Sequence, residues 1–217
     1  MDQFRAERYV PRTTPLMRVA GIAALVGAIL WPVGLAYVAT AASSDCATAA
    51  GCSIDGTLLG PIGGAGLLIA IGVAGLELRA TSMIGLFDLI GDLTLGTAGV
   101  LLFLAAIVGS LALLGPGLLL TLIGSVIFGW KGWDGQRRAK YGSMLIGIGA
   151  GTVIVFLLLA STVGTGVIGG FESAALGGFG FFCIGWAWVG ISLALGRPLA
   201  PPPARQTPQP KRLEGRR

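Results

Sequence analysis

The stretch VGTGVIGG, residues 163–170, spells Gly164-x-Gly166-x-x-Gly169. That spacing is the glycine fingerprint that lets a backbone approach the pyrophosphate of a dinucleotide. Its reading decides the fold, because the same glycines between two membrane helices would form only a turn. A nucleotide site needs a strand before the glycines, a helix opening within them and an acidic residue about 20 positions further on. Here SMLIGIGAGTVIVFLLLASTV (143–163) comes first and FESAALGGFGFF (171–182) comes after. Past Glu172, no acidic residue occurs before Glu214. Both flanks read as long apolar helix rather than strand. The glycines therefore predict a tight hairpin and no nucleotide partner.

Composition extends this reading to the whole chain. Of 217 residues, 54% are hydrophobic and 12% charged, against about 25% charged in a soluble domain. The chain is also glycine-rich, with 37 glycines, a residue that lets membrane helices approach closely. Apolar runs cover 19–41, 58–76, 84–130, 143–163 and 174–195. A bilayer core of about 30 Å needs about 20 helical residues, so the run 84–130 holds two spans. Its internal turn falls either at Gly115-Pro116-Gly117 or near Gly109-Ser110. With the second choice the spans are 86–108 and 111–130. Backbone groups in lipid must be satisfied within the segment, which predicts helices, and strand alternation is absent. The expected fold is all-α, a polytopic membrane protein of six transmembrane helices arranged as three hairpins. A leader (1–18) precedes the membrane domain (19–196), and a basic, Pro-rich tail (197–217) is expected to be disordered. The first apolar run exceeds the roughly 7–15 residues of a signal-peptide core and contains Trp31 and Pro32. An uncleaved first helix is expected.

Charge orients the spans. Lys and Arg concentrate in cytoplasmic segments. All fifteen lie in the leader and first-helix entry to Arg18, at Arg79, in KGWDGQRRAK (131–140) or from Arg197 onward. Six spans put these four segments on one side. The opposite loops carry only Asp45, Asp55 and Glu172. Both termini are therefore expected in the cytoplasm. LLIAIG (67–72) and LLTLIG (119–124) hint at a repeated hairpin.

Candidate sites are few. The small-xxx-small pairs Ala20/Ala24, Gly60/Gly64, Ala105/Gly109 and Gly147/Gly151 set two small residues on one helix face and favour close packing, within the chain or onto another membrane protein. Cys46 and Cys52 fall in the first outward loop, where an oxidising compartment would allow a disulfide. Asp88 and Asp92 sit at i and i+4, on one helix face, with Glu77 and Arg79 near the same interface. An ionisable group in a span is a functional candidate, here a cation or proton site, although acids also favour a helix start. Midplane hydroxyls are limited to Thr94, Thr97, Ser110, Thr121, Ser125, Thr152 and Ser161. Trp130, Trp133 and Tyr141 match an aromatic belt, and Trp186 and Trp188 lie deeper. The chain has no histidine and no nucleophile–base pairing, so neither catalysis nor a cofactor or metal is expected. No nucleic-acid partner is expected either.

The basic leader, the Gly/Ala/Leu-rich spans and the last helix, GWAWVGISLAL (185–195), together resemble small six-helix inner-membrane proteins of bacteria. The helix count and the Ala20/Ala24 face are also similar to energy-coupled vitamin-uptake subunits, whose polar binding loops have no counterpart here. The resemblance implies a multi-pass protein of the bacterial inner membrane and carries no site residue across. The expected role is a non-enzymatic structural or accessory membrane subunit, with the lipid bilayer and a membrane-protein partner or a second copy as its contacts. The alternative is a small-solute or ion transporter or channel.

Overall fold

The computed structural model describes residues 14–44, 56–79, 86–133, 140–163 and 168–195. They form six helices: α1 (Pro15–Ser44), α2 (Gly56–Arg79), α3 (Leu86–Val108), α4 (Leu111–Trp133), α5 (Lys140–Val163) and α6 (Ile168–Ala194). All six are long and apolar enough to cross a membrane. The chain is a six-span, multi-pass helical membrane protein. Where the notional nucleotide loop would need a strand, α5 runs to Val163 and α6 opens at Ile168.

Local chemistry explains the visible ends. Thr14 caps α1 by accepting a bond from the Met17 N–H at 3.3 Å, and Pro15 occupies the first helical position, where no N–H is needed. The turn in the run 84–130 lies at Gly109-Ser110. Gly109 has φ 67°, the left-handed conformation glycine adopts at a helix end. The Ser110 N–H donates to the Ala105 carbonyl at 3.1 Å, as in a Schellman motif. The Ser110 carbonyl then accepts the first bonds of α4 from Leu113 and Leu114. Gly109 is thus in a turn and not on the packing face expected of it with Ala105. Pro116, the other turn signal, lies inside α4, as Pro32 does in α1 and Pro61 in α2. Neighbouring helices can accommodate the carbonyl that such a proline frees.

Each helix packs against its neighbours in the chain, and α6 closes against α1. The three hairpins thus join into one closed ring. Every interface has a glycine at a close approach. A Cβ at Gly34 would stand 2.7 Å from the Ile62 N, one at Gly99 2.7 Å from the Gly66 O, and one at Gly117 2.8 Å from Leu102 Cδ2. The same holds for Gly147 against Gly129 Cα (2.8 Å), Gly149 against Gly178 O (2.5 Å) and Gly190 against Gly21 O (2.7 Å). Gly117 meets the end of a leucine side chain, but the other five meet backbone, which real Cβ atoms do not approach so closely, so only glycine permits those five approaches. Ala20, Ala24 and Ala105 are buried in the same way. Gly60 is the exception: nothing lies within 4 Å of its Cβ position, and Gly64 meets only Leu30 Cδ1 at 3.9 Å. Gly151 is similarly loose, 3.9 Å from Val126 Cγ2.

Two alanine substitutions test this packing. Gly147→Ala is expected to destabilise by about 1–3 kcal/mol, since α4 and α5 must separate. Gly177→Ala, whose Cβ would meet nothing within 4 Å, is expected to leave the melting midpoint in detergent unchanged.

Candidate functional site

A ring of six helices leaves an axis to fill, and here aromatic side chains fill it. Phe179, Phe182 and Trp186 occupy one face of α6 at i, i+3 and i+7. Trp31 of α1 meets Phe179 and Phe182 edge-on, at centroid distances of 6.1 and 5.8 Å. Phe128 of α4 stacks on Trp186 at 5.2 Å, so α4 and α6 touch across the ring through their side chains. Trp31, Phe128, Phe182 and Trp186 are all buried. Aliphatic side chains such as Leu59, Ile69, Leu95, Leu102 and Ile146 continue the same core.

Polar groups in the spans mostly turn back on their own helix. Thr94, Thr121 and Thr152 donate their hydroxyls to the carbonyls of Ile90, Gly117 and Ile148, at 2.7 to 2.8 Å. This local bond is the usual resource of threonine in an apolar helix. Ser110 serves the α3–α4 turn. Ser125 is fully buried, and its hydroxyl has no hydrogen-bond partner among the described residues; nor have Trp31 Nε1 and Trp186 Nε1. Trp130 and Tyr141, 77% and 70% exposed, project outward near adjoining ends of α4 and α5, as belt residues do. Trp188 is half-exposed on the outside, whereas Trp186 belongs to the core.

The one described carboxylate in a span lies elsewhere. Asp92 lines a groove of about 510 Å³ between α2 and α3. Ala70, Val73 and Ala74 form the α2 wall; Leu89, Asp92, Leu93, Gly96, Thr97 and Val100 form the α3 wall. Gly96 has no neighbour within 4 Å of its Cβ position, which keeps part of this lining shallow. Leu93 and Val100, 60% and 50% exposed, lie along its mouth. The groove thus opens on the outer face of the bundle. Asp92 is half-buried and has other contacts within the chain.

Of the four expected members of an ion or proton site, the structure puts Asp92 in this groove. Asp88 precedes it by one turn of α3, and Glu77 and Arg79 end α2; their side chains lie outside the described residues. Backbone register is informative nonetheless. Close approaches of Gly63 to Ala106 and of Gly99 to Ala70 align α2 with α3. Continued along both helices, that register brings residue 92 level with residue 77. Cys46 and Cys52, with their expected disulfide, lie outside the described residues. Cys183 is a free, half-buried thiol in α6. Among the described residues, no cluster of three or more His, Cys, Asp or Glu could hold a metal ion.

Sequence inspection missed two features. The aromatic column had a signal in the i, i+3, i+7 spacing on α6, but its partners Trp31 and Phe128 come from distant helices. The groove had none, since it depends on how α2 and α3 rotate against each other. No family model, curated protein or solved structure matches this chain.

Two substitutions probe these environments. Ser125→Ala removes a buried hydroxyl that has no partner, so the melting midpoint should stay level or rise. Phe182→Ala empties the centre of the column and is expected to cost about 3–5 kcal/mol. Both are read from thermal melts of the purified protein in one detergent.

Proposed function

We propose that this chain is a non-enzymatic accessory or structural subunit of the bacterial inner membrane, holding other membrane components through its outer face. The observation that carries this reading is the filled axis. Five aromatic rings and the aliphatic side chains around them occupy the interior. The threonine hydroxyls that a solute would need are spent on their own helices. Among the described residues, the interior keeps only the unpartnered Ser125 hydroxyl and the Trp31 and Trp186 indole N–H groups, and the remaining distinctive groups lie outside, where Asp92, Thr97 and open glycines face the surroundings.

A transporter is the second reading, favoured by one observation: Asp92 and Thr97 share a groove, and an intramembrane carboxylate is a common ion ligand. Reconstitution separates the two. Purified protein in liposomes is expected to pass protons, Na⁺ and K⁺ no faster than empty vesicles, as followed with internal dyes. Asp92→Asn is expected to insert and melt like the parent protein. An ion flux that Asp92→Asn abolishes would overturn the subunit reading in favour of transport.

A further inference from the structure

The α2–α3 groove carries a carboxylate on an otherwise mostly apolar outer face, and the same chain offers a matching cation. Arg18 of α1 is exposed. Its height follows from the packing of α1 on α2, where Gly75 meets Ala20 and Gly72 meets Ala24. That register sets residue 18 about level with residue 77 of α2. The register of α2 on α3 sets residue 92 level with the same point. Arg18 and Asp92 therefore lie at one depth in the membrane, on two helices that flank α2.

This order around the ring, α1, α2, α3, has a consequence under two-fold symmetry. An axis along the membrane normal, passing the outer face of α2, puts α1 of each copy opposite α3 of the other. The two α2 helices then run parallel, and the residues nearest the axis are Gly60, Gly64 and Ile71, at i, i+4 and i+11 on one face. Gly60 is exposed and Ile71 is 40% exposed. Small-xxx-small faces of this kind support close parallel contacts between membrane helices. The Gly60/Gly64 pair is open, whereas the glycines at the ring interfaces are closed upon by neighbours.

We infer that two copies of this chain pair across α2, each seating its α1 in the α2–α3 groove of the other, so that Arg18 meets the partner subunit's Asp92. The inference rests on the accessory-subunit reading and names one of its contacts. α1 presents a ridge of Ile22, Ile29 and Val33, 54%, 59% and 41% exposed, suited to a groove with a shallow floor. Arg18 precedes by one turn Gly21, which packs on α6, so it leans away from α2. Asp92 opens toward α2. With α1 nested in the groove, these two leanings bring the guanidinium and the carboxylate together. Asp92 need not be otherwise free, because a carboxylate offers about four acceptor positions. A planar guanidinium suits bidentate pairing with it. The symmetry closes at two copies, since the contact is isologous.

The test is cross-linking of the full chain in native membranes, with Cys46, Cys52 and Cys183 first replaced by serine. Ile71→Cys, beside the axis, should form a disulfide-linked dimer on mild oxidation. Leu119→Cys, 56% exposed on α4, two helices from α2 in the ring, should not. Arg18→Glu or Asp92→Arg alone should weaken dimerisation about tenfold, and the double exchange should restore it. Gly60→Ile gives a readout that spares the fold, because Gly60 is exposed and a Cβ there would meet nothing within 4 Å. It should leave the melting midpoint intact and abolish the Ile71→Cys dimer. Equal cross-linking at positions 71 and 119, or none at 71, would overturn the inference, as would a charge exchange that fails to restore pairing while both single variants fold. A different membrane protein co-purifying at fixed stoichiometry with a chain that does not self-pair would preserve the subunit reading and remove the dimer alone.

Discussion

Helices in lipid gain little by hiding leucine from a solvent as apolar as leucine, so close backbone approach is the interaction on which this bundle depends. Its glycines supply that approach at every interface. Gly21 and Gly190 let α1 and α6 close the ring, Gly66 and Gly99 join α2 to α3, and Gly129 and Gly147 join α4 to α5. At Gly66 an added methyl group would meet the Leu102 side chain first, but at the other points it would meet backbone atoms, which cannot rotate away as a side chain can. The many glycines of this chain are therefore not interchangeable. Those at interfaces set helix spacing, whereas Gly60, Gly96, Gly115, Gly177 and Gly180 meet nothing within 4 Å and leave the outer surface notched.

Closing the ring creates the second constraint. Six close-packed helices surround an axis that small residues alone would leave empty, and a void there would forfeit dispersion contacts. Trp31, Phe128, Phe179, Phe182 and Trp186 meet that demand with broad rings in edge-on and stacked contact. Glycine between helices and aromatics along the axis are complementary. The first brings backbones together, and the second fills what remains. With the interior committed to packing, distinctive chemistry moves to the perimeter, and the groove holding Asp92 is the clearest instance among the described residues.

The number of the spans was legible because hydropathy and bilayer thickness act on each segment separately. The helix expected before the glycines at 163–170 was legible for the same local reason, and α5 does run to Val163 where a strand would otherwise stand. Properties shared between segments were much less visible. Gly60/Gly64 and Gly147/Gly151 have the same pattern, yet Gly147 faces α4 while Gly60 faces outward. Nothing in either motif says which neighbour it meets. Gly115-Pro116-Gly117 was the stronger turn signal by composition, but those residues continue α4. The weaker pair Gly109-Ser110 makes the turn, through a left-handed glycine and a Schellman bond. Gly109 was for this reason misassigned to a packing face. Asp92 was legible as an intramembrane acid, but its groove depends on the rotation of two helices against each other.

The ring closure is the claim that most needs a direct measurement, since an open row of three hairpins would have the same spans and the same loops. Ile22 of α1 and Ile191 of α6 each follow a glycine of the close Gly21–Gly190 contact and are 54% and 43% exposed, so cysteines there leave the contact itself undisturbed. Ile22→Cys with Ile191→Cys, in a chain whose own cysteines are replaced by serine, should therefore be joined by a short bis-maleimide with an internal disulfide, linking α1 to α6 within one molecule in native membranes. The expected product is a monomer whose two ends stay joined after proteolysis of the loop 134–139, until the bond is reduced. Complete separation of the two fragments without reductant, from protein shown to be folded, would contradict a closed ring.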